Sequence, residues 1–161
     1  MNQAEWSNFL IAEAGAAAAL TGLIFVAVSI NLAKILEFPG VSTRAGEALL
    51  LLLGVLLVCS LALVPNPSDK ALGIELLATG IILWAVVTVR HITFRFPPGH
   101  MWWWFAMRVT LSQLATIPFC VAGASLLFHW RGAMFWLVPG CLFSFVAGVY
   151  SAWVLLVEIL R

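Results

Sequence analysis

Apolar residues run along this chain in five long stretches, each closed by proline, glycine or charged residues. The first covers 9–32 and reads FLIAEAGAAAALTGLIFVAVSINL. About 20 apolar residues in helical form cross the hydrocarbon core of a bilayer, so this stretch predicts a membrane-spanning helix. Glu37-Phe38-Pro39-Gly40 then breaks the pattern, since proline and glycine together punctuate strongly. The second stretch, 45–64, is leucine-rich and stops at Pro65-Asn66-Pro67, where Ser68 or Asp69 is placed to cap the next helix. The third, 71–89, closes with Arg90 and His91, and Phe96-Pro97-Pro98-Gly99 makes a rigid turn. The fourth, 102–128, contains Pro118, which predicts a kink and a freed carbonyl that needs a partner. Arg131-Gly132 separates it from the fifth, 134–160, where Pro139 falls in the first turns and is better tolerated. The expectation is all-α: a polytopic membrane helix bundle with five transmembrane helices in a single domain, 1–161.

The pattern within the first stretch is sharper than its length. At 100° per residue, Ala17, Leu20, Ile24 and Val28 follow Glu13 down one side, and Asn31 returns to the angle of Glu13. A rise of 1.5 Å per residue puts the two polar groups roughly 27 Å apart, near the two edges of the hydrocarbon core. The opposite side carries Gly15, Ala18, Ala19, Gly22 and Ser29, and small residues are what let helices approach closely in lipid. That side is expected to pack. The fifth stretch carries a second packing signature, Gly140, Ser144, Gly148 and Ala152 at every fourth residue, expected to meet helices of the same chain.

Composition agrees with a lipid-facing surface. The chain of 161 residues is 63% hydrophobic and 9% charged, with mean hydropathy +1.08. Soluble domains carry about 25% charged residues. The net charge of +1 and the lack of a basic cluster point away from nucleic acid. The amino terminus has Glu5 rather than a positive n-region, so the first helix is expected to stay in the mature protein. Six of the eight Lys and Arg residues (Lys34, Arg44, Arg90, Arg95, Arg108 and Arg161) fall on one side of a five-span topology, against Lys70 and Arg131 on the other. The positive-inside rule then places the amino terminus outside and the carboxyl terminus in the cytoplasm. Trp6, Trp130 and Trp136 fall at the outer boundary and Trp102, Trp103 and Trp104 at the inner one, the level that indole rings prefer. Cys59, Cys120 and Cys141 form no CxxC pair and lie inside apolar stretches, as buried free thiols do.

Candidate chemistry rests on the acidic residues, because carboxylates in membrane spans mark function by default. Glu47 and Glu158 lie near the inner boundary at a depth similar to Arg108, which predicts a structural ion-paired cluster. Glu13 and Glu75 lie near the outer boundary, where few basic partners are available, and with Asn31 they are the candidates for a proton or cation site. Gln113 is expected to make an interhelical hydrogen bond. His91, His100 and His129 are too far apart in sequence to suggest a metal or haem ligand set, and no metal or other cofactor is expected. No GxSxG, HExxH, GxGxxG or P-loop occurs, so no enzymatic activity is expected.

LTGLIFVAVSINL at Leu20 to Leu32, LALVP at Leu61 to Pro65, FWLVPG at Phe135 to Gly140 and the closing AWVLLVEILR together resemble a family of small bacterial membrane proteins along the whole chain. Some of its members are labelled modulators of the FtsH membrane protease. The resemblance implies the bacterial inner membrane and a regulatory membrane partner, and carries over no site residue. Two functions follow. One is an oligomeric ion channel or proton-coupled transporter using Glu13 and Glu75, ranked first on the strength of Glu13. The other is a non-transporting interaction protein that regulates a membrane complex. Its mark would be a lipid-depth surface of small residues left unfilled by the chain's own helices.

Overall fold

The computed structural model describes residues 3–37, 39–65, 68–93 and 102–159, without the side chains of 3–5, 39–41, 104 and 154–159. Among the described residues every regular element is helical: α1 (Gln3–Ile30), α2 (Leu32–Glu37), α3 (Pro39–Ala62), α4 (Asp69–Thr93), α5 (Trp102–Leu127), a 3-10 turn (Ala133–Trp136) and α6 (Leu137–Ile159). Five segments are long and apolar enough to cross a membrane: Trp6–Ile30, Ser42–Ala62, Asp69–Thr93, Phe105–Leu127 and Ala133–Trp153. The expected turn at 96–99, Arg95, His100 and Arg161 lie outside the described residues.

Two boundaries differ from the sequence expectation. The second long helix starts at Pro39 rather than near 45. Proline at the first helical position forfeits only an N–H that no helical carbonyl would have accepted, so Pro39-Gly40 opens the helix instead of preceding it. The first helix breaks at Asn31. There the side-chain amide donates to the Ala27 carbonyl at 2.9 Å, beside the backbone N–H of the same residue at 3.3 Å. Two donors on one carbonyl weaken the helical ladder, which is how asparagine competes with a helix.

The ends of the other helices follow capping chemistry. Ser68 caps α4, its hydroxyl accepting from the Ala71 N–H at 3.1 Å. After α5, His129 takes the left-handed conformation (φ 55°). The N–H of Trp130 then donates to the Ser125 carbonyl at 2.8 Å, and that of His129 to the Leu126 carbonyl at 3.2 Å. This pair of bonds closes a helix in a Schellman motif, here with histidine in the place usually held by glycine. Helix α5 runs through the buried Pro118, flanked by Thr116 and Ser112, whose hydroxyls donate back to the carbonyls of Ser112 (2.9 Å) and Arg108 (3.1 Å).

The chain divides into two compact units, Met1–Pro65 with Phe145–Arg161, and Asn66–Ser144. In the first, α1 packs on α3 through Leu10, Ala17 and Ile24, seven residues apart and all buried. Ile24 meets Ala48 and Leu52, and Phe145 and Ala152 of α6 close over that cluster. Gly148 of α6 lies against the Leu52 side chain. In the second unit α4 and α5 pack as an antiparallel hairpin whose closest points are glycines. A Cβ on Gly80 would sit 2.8 Å from the Cys120 backbone nitrogen, and one on Gly123 would sit 2.7 Å from the Leu77 Cα. Gly140, in the first turns of α6, lies against the Phe119 ring.

Candidate functional site

The face of α1 that packs is the one bearing Glu13 and Asn31, not the one bearing the small residues. Ala17 is fully buried, and Leu20 and Val28 lie against the cluster on α3. Gly15, Ala18, Ala19, Gly22 and Ser29 are all exposed, and a Cβ on Gly15 or Gly22 would meet nothing within 4 Å. Among the described residues nothing packs on that side. The physical reason lies in α3, which presents Ala45 and Ala48 to α1: alanine on the partner supplies the close approach, and Ile24 and Leu52 fill the space beside it. Of the five membrane-crossing segments, this first one is the least buried. Its open side includes Asn8, Ala12, Gly15, Ala19, Gly22, Val26 and Ser29, alternating three and four residues apart, the spacing of a helix–helix seam. The hydroxyl of Ser29 is satisfied by the Phe25 carbonyl at 2.8 Å, so the strip offers mainly backbone and methyl groups.

The acidic candidates are divided between the two units. Glu13 belongs to the first unit and Glu75 to the second, where its side chain is exposed. Glu13 is half-buried, and its Oε2 has no hydrogen-bond partner among the described residues. Asn31 spends its amide on Ala27, eighteen positions along from Glu13. Glu47 is 2% exposed on α3, and Arg108 is half-buried on α5 in the other unit. The side chain of Glu158 lies outside the described residues, so the expected cluster of the three is not described.

Gln113 makes the expected interhelical bond. Its Oε1 accepts from the Trp84 indole N–H at 2.6 Å and its Nε2 donates to the Thr88 hydroxyl at 3.3 Å, joining α5 to α4. His91 is buried edge-on to Phe105, and His129 is exposed in its turn. Among the described residues no three His, Cys, Asp or Glu side chains stand close enough to hold a metal ion. An apolar groove of about 300 Å³ along α5 is lined by Trp103, Ala106, Met107, Thr110, Leu111 and Leu114. The Thr110 hydroxyl in this lining donates to the Ala106 carbonyl, and no charged side chain lines the groove. Cys59 and Cys141 are buried and Cys120 half-buried, and among the described residues none forms a disulfide.

Sequence reasoning missed the glycines that matter most to α4 and α5. Gly73, Gly80 and Gly123 are buried at the helix contact, and Gly73 and Gly80 stand seven residues apart, the repeat that could have revealed them. The ladder on α6 is turned inward, with Gly140, Ser144 and Gly148 buried and Ala152 against the α1–α3 cluster.

Helices of this length and composition define a multi-pass α-helical membrane protein. No family model, curated protein or solved structure matches the chain.

Proposed function

We propose that this chain is a non-transporting interaction protein of the bacterial inner membrane, amino terminus outside and carboxyl terminus in the cytoplasm, which binds and regulates another membrane complex through the open face of α1. The observation that carries this reading is the open strip at Gly15 and Gly22, where among the described residues an added Cβ would meet no atom beyond the helix's own backbone within 4 Å. In lipid, association draws on close packing rather than on the hydrophobic effect, so a strip centred on small residues is the surface a partner helix can grip. A photo-crosslinker at Ala19 is expected to capture one discrete membrane partner, and one at the exposed Ile82 on α4 is not. Gly22→Leu should abolish the capture while leaving the far-ultraviolet spectrum and stability unchanged. Equal capture at both positions, or capture that survives Gly22→Leu, would sink the reading.

Transport through Glu13 is the second reading, favoured by the buried Oε2 that no described residue satisfies. Proton or cation flux in proteoliposomes that is present in the wild type and lost in Glu13→Gln would put transport first.

A further inference from the structure

We draw no further inference here: the strongest candidate, a second copy of the chain seated on the open α1 face between Asn8 and Ser29, belongs to the surface already described, and nothing in the structure shows what covers it.

Discussion

Gly123→Ala tests the packing of α4 on α5 with a single methyl group. The added Cβ would overlap the Leu77 backbone nitrogen and lie 2.7 Å from the Leu77 Cα, where ordinary contact begins near 3.4 Å. The obstructing atoms are backbone, so no rotamer change relieves the clash, and the helices must part by more than about 0.7 Å at that level. Overpacking a filled site costs about 1–3 kcal/mol, and an immovable neighbour sets this case at the upper end. Alanine's better helix propensity returns about 0.5–1 kcal/mol. The net expectation is a loss of about 2 kcal/mol, or roughly thirty-fold in the unfolding equilibrium. Gly22→Ala is the matched control, since its methyl group meets nothing within 4 Å. It should be neutral, or stabilising by up to about 1 kcal/mol. Both variants are measured by titrating dodecyl sulfate into mixed micelles and following helicity by circular dichroism. Equal midpoints for the two variants would refute the placement of these glycines, whatever their absolute stability.

Three further outcomes are expected in the same assay. Gln113→Leu removes the acceptor for the Trp84 indole and should cost about 0.6 kcal/mol, the usual worth of such a bond in membranes; a red- or blue-shifted Trp84 emission isolated in a single-tryptophan background would accompany it, and unchanged emission would argue against the bond. His129→Gly should stabilise by about 1 kcal/mol, because glycine takes the left-handed conformation (φ 55°) without the strain that histidine bears there; a loss of stability would count against the Schellman closure of α5. Ser68→Ala should cost about 1 kcal/mol through loss of the α4 cap, while Ser68→Asp, which restores an acceptor, should recover most of it.

Much of the architecture was legible because membrane helices announce themselves by length. A run such as 102–128 is read directly from hydropathy, and interruptions such as Arg131-Gly132 fall where the structure places connections. What hydropathy conceals is direction. On α1 the small residues looked like the packing face, yet α3 supplies its own alanines and takes the side with Ala17 and Ile24. Which of two faces is covered depends on a residue on another helix, and no periodicity within α1 encodes it. Gly73, Gly80 and Gly123 were overlooked for the same reason, since a glycine's worth depends on how near the opposite backbone comes. Pro39 and Asn31 misled locally: proline can open a helix as well as end one, and a single asparagine amide at an apolar helix end can split it. The candidate site was the least legible part, because depth along a span says nothing of which helix a carboxylate meets, and Glu13 and Glu75 belong to different units.

The division of α6 between the units sets an order of events during synthesis. Its start, up to Ser144, belongs with α4 and α5, whereas Phe145 onward belongs with α1 and α3. The unit made first is therefore completed last. While α4 and α5 are being inserted, the α1–α3 pair must wait in the bilayer with the surface over Ala48 and Leu52 uncovered by Phe145 and Ala152. A ribosome stalled after residue 144 would release the α4–α5 unit with all its own residues and the α1–α3 unit without its lid. The vulnerable product of interrupted synthesis is thus the amino-terminal hairpin, left with its surface over Ala48 and Leu52 open to lipid.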